Sequence, residues 1–319
     1  DPTRIRAVAT QTLREARNRD EFLRAAQRVL GHPIEVISGR EEARLIYSGV
    51  SFLQPSEETR LVADIGGRST ELILGQGRQP RTAESFPVGS VSLSMRYFGD
   101  GRLSSQAFRA AQIAAGAEFE EAMTEFAPSL WAEALGSSGT AGAVSQVLRE
   151  ADITDGCITT AALAGLIERC VEAGHIDRLD VPGLREDRRA VIPGGLAILY
   201  TLFTHFGIQQ MRPAKGALRQ GVIIDLHERL LAARAGARGQ DARDITVAAL
   251  QARFGVDVAQ ALRVRHTALD LHDAACPQAA PQARQELAWA CDLHELGLAV
   301  SHHDYHRHSA YLMAHLDAP

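Results

Sequence analysis

The chain has 319 residues, of which 45% are hydrophobic and 23% are charged, and its formal net charge is -5 at pH 7. This length provides for two domains with full hydrophobic cores. The acidic balance excludes the overall basic surface typical of nucleic-acid-binding proteins, so a polyanionic ligand would need a local basic lining. No apolar stretch reaches membrane-spanning length, and no signal peptide is recognisable.

The cysteines lie far apart, and none has the spacing of a zinc site or a disulfide framework. They are Cys157, Cys170, Cys276 and Cys291. We therefore predict a reduced, cytoplasmic location, with a membrane-peripheral one as the alternative. The sequence opens on Asp1 rather than Met, which indicates a fragment or a processed product.

Hydrophobic periodicity predicts mixed strands and helices up to residue 231 and helices alone after a linker at 232–239. The predicted strands cover residues 3–9, 34–37, 62–74 as a hairpin, 80–87 and 208–211. The predicted helices cover residues 18–30, 40–47 with Ser38 as cap, 104–126, the segment up to 148, 159–172, 190–206, 215–231, 244–254, 258–274 and 283–298.

The predicted hairpin joins two apolar runs through glycines and small hydroxyl residues. Its backbone amides can close around a phosphate. An acidic residue stands at each end of the connection, Asp64 and Glu71, and these could hold a magnesium ion or its waters beside that phosphate. An ordinary glycine-containing turn is the alternative interpretation.

Two adjacent glutamates, Glu41 and Glu42, begin the helix that follows Ser38. Neighbouring helical residues point in different directions, so only one of the two can face a given ligand. Acids in a first helical turn commonly favour the helix dipole, and the functional alternative is a general base that activates water. Arg14 follows a strand and a turn, where it either binds a phosphate bidentately or lies on the surface.

A second segment rich in glycine and serine, residues 136–142, opens onto a helix. Amides at a helix N-terminus bind anions, so this is a second candidate phosphate site, with a simple connection as the alternative. Histidines are concentrated near the end of the chain, at His294, His302, His303, His306, His308 and His315. We favour hydrogen-bonded or helix-end histidines over a metal site there.

These segments, in their order and separation, resemble the exopolyphosphatase and guanosine pentaphosphate phosphohydrolase (Ppx/GppA) family. The matching residues are 12–16, 35–46, 64–72, 136–140 and 216–219, and residues 293–297 and 306–311 resemble the helical third domain of exopolyphosphatase-type members. The resemblance implies an α/β fold of the sugar kinase, heat-shock ATPase and actin-like (ribonuclease H-like) superfold, with an appended all-α HD-like domain. It divides the chain into the remainder of domain I (1–44), domain II (45–231) and a partial helical C-terminal domain (232–319).

The resemblance also implies roles for single residues. Glu42 matches the catalytic base, which makes Glu41 a bystander, and Asp64 and Glu71 match acids that hold Mg²⁺. The positions implied in phosphate or polyphosphate binding are Arg14, Gly66, Gly67, Ser69, Thr70, Gly139 and Thr140.

Some residues depart from the family pattern. Arg68 stands where the family has a third glycine, and if that position needs a positive φ, arginine costs on the order of 1 kcal/mol and obstructs the phosphate. Lys215 replaces an acid, and Gln220 replaces a glutamate. The family's first phosphate loop has no counterpart in this sequence, and the match stops inside the third domain, so we expect an incomplete domain I and an incomplete third domain here.

The resemblance implies a magnesium-dependent exopolyphosphatase that removes terminal phosphate from inorganic polyphosphate and forms a homodimer. One alternative is hydrolysis of the 5′ phosphate of guanosine pentaphosphate. Another is a polyphosphate- or nucleotide-binding regulator without turnover, which Arg68, Lys215 and the absent first phosphate loop favour.

Overall fold

A computed structural model describes residues 5–234 and 242–316 of the chain. The backbone forms two compact units, Asp1–Leu231 and Ala232–Pro319. Within the described residues, no helix combines the length and the apolar character needed to cross a membrane. The predicted domain boundary at residue 44 falls inside a helix, Gly39–Leu53, and the division into three domains stays a prediction.

The strands of the first unit form a two-stranded parallel sheet and a six-stranded mixed sheet. They are β1 (Ala7–Ala9), β2 (Ile34–Val36), β3 (Thr59–Ile65), β4 (Thr70–Gln76), β5 (Gln79–Phe86), β6 (Glu133–Ser137), β7 (Ile158–Thr159) and β8 (Gln210–Pro213). The large sheet has the order β5-β4-β3-β6-β8-β7, and the small sheet pairs β1 with β2. The predicted hairpin is therefore β3 and β4, near the centre of the large sheet, with β6 parallel to β3 on its other side.

Helices cover this sheet and form all of the regular structure described in the second unit. Those that begin in the first unit are α1 (Gln11–Glu15), α2 (Arg19–Leu30), α3 (Gly39–Leu53), α4 (Ser90–Tyr97), α5 (Ser105–Phe119), α6 (Ser138–Glu150), α7 (Thr160–Ala173), α8 (Glu186–Arg189), α9 (Ile192–His205) and α10 (Leu218–Arg234). Those of the second unit are α11 (Ala242–Phe254), α12 (Val258–Ala275), α13 (Pro281–Leu293) and α14 (Tyr305–His315). This mixed sheet with helices, followed by a helical domain, confirms the predicted fold class.

Predicted boundaries differ from the structure at several elements. The helix predicted over 104–126 ends at Phe119, and a short 3-10 helix, Glu120–Ala122, follows it. Phe119 and Phe126 both pack against the ring of Phe206. The helix predicted over 283–298 ends at Leu293, and a short 3-10 helix follows. In the predicted linker, α10 continues to Arg234, and residues 235–239 lie outside the described residues.

Alternation along the central strands decides which face each side chain occupies. On β3, Leu61, Ala63 and Ile65 join the large core on one side of the sheet. Val62 joins a second cluster on the opposite side, where α3 packs with Ile46. Asp64 follows Val62 by two residues, so its carboxylate lies on the α3 side.

Helices α3 and α10 approach closely, and a charged cluster surrounds their contact. A Cβ at Gly221 would lie only 1.7 Å from the carbonyl oxygen of Leu45, so this crossing requires glycine. Beside it, Asp225 accepts hydrogen bonds of 2.6 Å from Arg6 on the chain before β1, from Arg44 on α3 and from Arg229 on α10. Burial alone would raise the pKa of Asp225, but these three arginines outweigh it and hold the pKa below its usual value. One carboxylate thus joins three segments of the first unit.

We predict that Asp225→Asn lowers the free energy of unfolding by about 3 kcal/mol at neutral pH, since it leaves three guanidinium groups partly buried without their shared partner. Because the folded pKa is depressed, this stabilisation is present above the unfolded pKa and is lost as pH falls through the folded value. The difference between wild type and variant should therefore shrink in acid. Thermal denaturation between pH 3 and pH 7 measures it.

The matched control is Glu228→Gln on the same helix, which breaks an ion pair with Arg78 whose side chains are 50% and 53% exposed. An exposed pair contributes about 1 kcal/mol at most. Equal effects of the two substitutions would contradict the assignment of Asp225.

Candidate active site

Four polar side chains form a row across the centre of the large sheet. Cross-strand pairing places Ser85 of β5 beside Glu71 of β4, Glu71 beside Asp64 of β3, and Asp64 beside Ser137 of β6. Directly paired residues point to the same face of a sheet. The row therefore lies on the face that α3 covers. Ser85 donates a hydrogen bond of 2.8 Å to Glu71.

Helix α3 adds a third carboxylate to this row. Ser38 caps the helix by accepting a hydrogen bond from the amide of Glu41, as predicted. Glu42 lies one helical turn before Ile46, at the end of the stripe that faces the sheet. Glu41 points away and pairs with Arg44 at 2.6 Å. The two adjacent glutamates thus have different surroundings, and Glu42 is the one that faces the row.

Arg14 approaches Glu42 from the first segment of the chain. Its Nη1 atom donates to Oε2 of Glu42 at 3.0 Å and to the carbonyl oxygen of Ile37 at 2.8 Å. Its Nε and Nη2 atoms donate to the side chain of Gln11. Arg14 is therefore held in a fixed position with its guanidinium against the candidate base.

The three carboxyl groups are buried, with Glu42 7%, Asp64 5% and Glu71 1% exposed. Burial raises the pKa of Asp64 to about 6, although hydrogen bonds from Ser137 and Ser138 oppose this. The pKa of Glu71 is raised well above its usual value by burial and by the charges of Glu42 and Asp64.

The pKa of Glu42 is raised by burial and by Asp64, against the opposing effect of Arg14. The site therefore concentrates three acids that resist full ionisation. The raised pKa of Glu42 makes its carboxylate a better proton acceptor than an ordinary, exposed glutamate.

The loop between β3 and β4 is tied to the start of helix α4. The amide of Gly66 donates to the carbonyl of Ser69, and the carbonyls of Gly66 and Gly67 accept from the amides of Ser90 and Val91. The buried hydroxyl of Thr70 donates to the carbonyl of Val88, so it supports the loop. Ser69 hydrogen-bonds to Glu71. The loop thus continues directly from the row of carboxylates.

A second loop, at the start of α6, reaches the same carboxylates. Ser138 has a φ of 70°, a strained conformation for a residue with a side chain, and it hydrogen-bonds to Asp64. Thr140 donates to the carbonyl of Ile65 at 3.0 Å. A Cβ on Gly139 would lie 2.8 Å from both Nη atoms of Arg188, so the absence of a side chain lets this guanidinium rest on the loop.

The residues that depart from the family pattern are compatible with this geometry. Arg68 is not in the left-handed region, because the described non-glycine residues with positive φ are Ser138, Asp152 and Asp304. Arg68 therefore has none of the backbone strain that a positive φ would cause. Its side chain forms an ion pair with Glu15. Gln220 accepts a hydrogen bond from the amide of Ala217 at the start of α10. Lys215 is exposed.

All of the sequence-predicted site residues belong to one region of the first unit. Arg14 contacts Glu42, and Glu42 interacts electrostatically with the acids Asp64 and Glu71. The two glycine-containing loops border these residues. Sequence reasoning missed Arg188, which lies about fifty positions after the loop that it contacts, and the roles of Ser85 and Ser137 in the row. Strand register identifies the two serines as site residues, because Ser137 pairs directly with Asp64 and Ser85 with Glu71.

The buried acids fit the requirements of Mg²⁺. This ion is commonly held by one or two carboxylates, with waters and phosphate oxygens in its remaining positions. Among the described residues, no group of three or more potential protein ligands could hold a metal on its own. Asp64 and Glu71 repel each other, and a divalent cation between them would relieve that repulsion. They are therefore the residues that would bind it.

A separate groove lies elsewhere in the first unit, away from the carboxylate site. It has a volume of about 1000 Å³ and runs between α5, α7 and α9, with Phe108, Ile113 and Tyr200 among its lining residues. None of the sequence-predicted site residues lines it. This groove is therefore separate from the carboxylate site.

Comparison with known proteins agrees with the sequence resemblance. The sequence profile of the Ppx/GppA phosphatase family matches residues 1–230, and that of Ppx/GppA phosphatase domain III matches residues 242–319. An exopolyphosphatase-like protein of known structure has 24% identity and a TM-score of 0.62, over 70% of this chain and 78% of that chain.

Two further structures show the same fold. The PPX-GPPA enzyme of Aquifex aeolicus has 24% identity and a TM-score of 0.57, over 69% of this chain and 74% of its own. An exopolyphosphatase from Cytophaga hutchinsonii has 18% identity and a TM-score of 0.61, over 70% of this chain and 75% of its own. At these identities the likeness concerns the fold.

We predict that Asp64→Asn raises the melting temperature at pH 7 while the amide keeps the hydrogen bonds of the carboxylate. The folded pKa of Asp64, about 6, exceeds the usual 3.8, so ionisation opposes folding increasingly from pH 4 to pH 6. The gain corresponds to about 3 kcal/mol at most at pH 7 and should vanish below pH 4. Calorimetry across this pH range measures it.

The control is Asp180→Asn, at an exposed position of the same unit. It should leave the melting temperature nearly unchanged at every pH. A lower melting temperature for Asp64→Asn at pH 7 would contradict the buried-charge interpretation.

Proposed function

Because the chain belongs to the Ppx/GppA phosphatase family, we propose that it is an exopolyphosphatase that hydrolyses the terminal phosphoanhydride bond of inorganic polyphosphate. One observation carries the proposal. Glu42, paired with Arg14, stands beside two buried acids and two glycine-containing loops that suit a phosphoryl group.

Glu42 is the general base of the proposed reaction. Its carboxylate accepts a proton from a water molecule whose oxygen attacks the terminal phosphorus atom. The bond between that phosphorus and the bridging oxygen breaks, and the bridging oxygen stays with the remaining chain. The products are orthophosphate and a polyphosphate shorter by one unit. The raised pKa of Glu42 suits a group that must take up a proton near neutral pH.

The protein stabilises the negative charge of the phosphoryl group in two ways. Amides of the β3–β4 loop and of the α6 N-terminus can donate to its oxygens. The guanidinium groups of Arg14 and Arg188 approach from α1 and α8 and supply positive charge. We propose Gly66, Gly67, Ser69, Gly139 and Thr140 as the residues that shape these loops, with Thr70 acting through its buried hydrogen bond.

Asp64 and Glu71 are the proposed holders of Mg²⁺. When bound, the ion would screen phosphate charge and act as a Lewis acid at a phosphoryl oxygen. The hydrogen bonds from Ser85 to Glu71 and from Ser137 and Ser138 to Asp64 orient both carboxylates.

We predict that Glu42→Gln lowers phosphate release from long-chain polyphosphate by at least about 100-fold while polyphosphate binding changes little, because the amide cannot accept the proton. The assay compares polyphosphate with guanosine pentaphosphate, in the presence of Mg²⁺, by released orthophosphate. Faster release from the nucleotide would favour the alternative substrate, and binding without release from either would favour a regulator.

The control is Glu41→Gln, the adjacent position on the same helix. It removes an ion pair with Arg44 and should lower stability, but the folded protein should keep its kcat. Full activity of Glu42→Gln would exclude Glu42 as the base.

We further predict that Mg²⁺ raises the melting temperature of the wild-type protein, because it binds the folded state and relieves repulsion between Asp64 and Glu71. Asp64→Asn and Glu71→Gln should each lose most of this shift. Differential scanning fluorimetry with and without Mg²⁺ measures it independently of activity. An undiminished shift in both variants would place the ion elsewhere.

A further inference from the structure

An exposed ion pair joins α1 to the loop between β3 and β4. Nη2 of Arg68 lies 2.8 Å from Oε2 of Glu15, and the two side chains are 50% and 43% exposed. Glu15 directly follows Arg14, whose guanidinium contacts Glu42. The exposed pair therefore links the β3–β4 loop to the helix that carries Arg14.

The backbone on the Arg68 side of this pair is fixed. The amide of Gly66 is bonded to the carbonyl of Ser69, and the carbonyls of Gly66 and Gly67 accept from the first turn of α4. A Cβ at Gly89 would lie 2.3 Å from the amide nitrogen of Arg68, so the loop is also closely packed. A change of partner at Arg68 therefore needs movement of its side chain only.

The ion pair between Arg68 and Glu15 is weaker than the interaction that Arg68 could form with a phosphate group. An exposed ion pair contributes about 1 kcal/mol or less. Arginine binds a phosphate group bidentately, with two parallel charge-assisted hydrogen bonds. The nearby Arg14 has its donors on Glu42, Gln11 and Ile37, so it has less freedom to bind an additional phosphate. Arg68 is the more available cation.

We propose that Arg68 binds a phosphoryl group outside the terminal one and that Glu15 is a built-in competitor, which occupies Arg68 until a polyanion displaces it. The proposal rests on the phosphoryl site described under the proposed function. Arg68 thereby determines specificity for extended phosphate chains, because the proposal places its phosphoryl group beyond the terminal one.

A purely structural role for the ion pair predicts a different pattern. If the pair only fastens α1 to the loop, removing either charge breaks the same fastening, and both substitutions change binding in the same direction. If Glu15 competes with the ligand, the two substitutions act in opposite directions. Glu15→Gln frees Arg68 for the ligand, whereas Arg68→Gln removes the ligand's partner.

The test is a double-mutant cycle read out by direct binding of tripolyphosphate and of long-chain polyphosphate to the full chain, with Glu42→Gln as background to prevent turnover. We expect Arg68→Gln to weaken binding about tenfold and Glu15→Gln to tighten it about threefold, as charge-assisted hydrogen bonds at exposed sites allow. In the Arg68→Gln background, Glu15→Gln should have almost no effect. Orthophosphate binding should be unchanged by Arg68→Gln.

Arg78→Gln and Glu228→Gln are matched controls. They break another exposed ion pair, with side chains 53% and 50% exposed, and should leave binding unchanged. They show how much the loss of one exposed charge elsewhere on the same unit changes polyphosphate binding.

Effects of the same sign for Glu15→Gln and Arg68→Gln, additive effects, or unchanged binding in Arg68→Gln would each overturn the proposal. If binding is unchanged in Arg68→Gln but turnover is lost in Glu42→Gln, the proposed function stays intact and only the role of Arg68 is excluded. Opposite effects on binding, together with a wild-type chain that releases no phosphate from polyphosphate, would overturn the proposed function and retain the role of Arg68.

Discussion

The site depends on the mutual repulsion of three buried carboxyl groups. Glu42, Asp64 and Glu71 are held together by strand register and by the packing of α3. Asp64 raises the cost of ionising Glu42, and both of them raise the cost of ionising Glu71. Such an arrangement lowers stability and is retained only where the surrounding structure enforces it. Under the proposed function, a cation and a phosphoryl group would offset this concentration of negative charge.

The rest of the first unit holds these acids in place. The β3–β4 pairing sets Asp64 opposite Glu71, and β6 brings Ser137 to the other side of Asp64. The Asp225 cluster and the glycine contact between α3 and α10 fix the helix that carries Glu42. Rigid packing of this kind holds the two proposed phosphate loops in position beside the acids.

The ion pairs of the first unit divide into two kinds with different consequences. Those at Asp225 are largely buried, and they stabilise the arrangement of three chain segments. The pair between Arg68 and Glu15 is exposed and stands at the border of the site, where a ligand can replace one partner. Burial thus separates a structural interaction from an exchangeable one.

The sequence by itself determined most of the longer elements, the Ser38 cap, the hairpin and the family, because each depends on local spacing or on ordered motifs. It did not predict β6, β7, α4 or α8. It also indicated that Glu41 and Glu42 face different ways, because the helical period separates adjacent residues. Only the tertiary structure showed that Phe119 and Phe126 share the distant Phe206 as a packing partner. It also decided that Arg188 rests on Gly139 and that Arg68 pairs with Glu15, because contacts between residues far apart in sequence follow from packing.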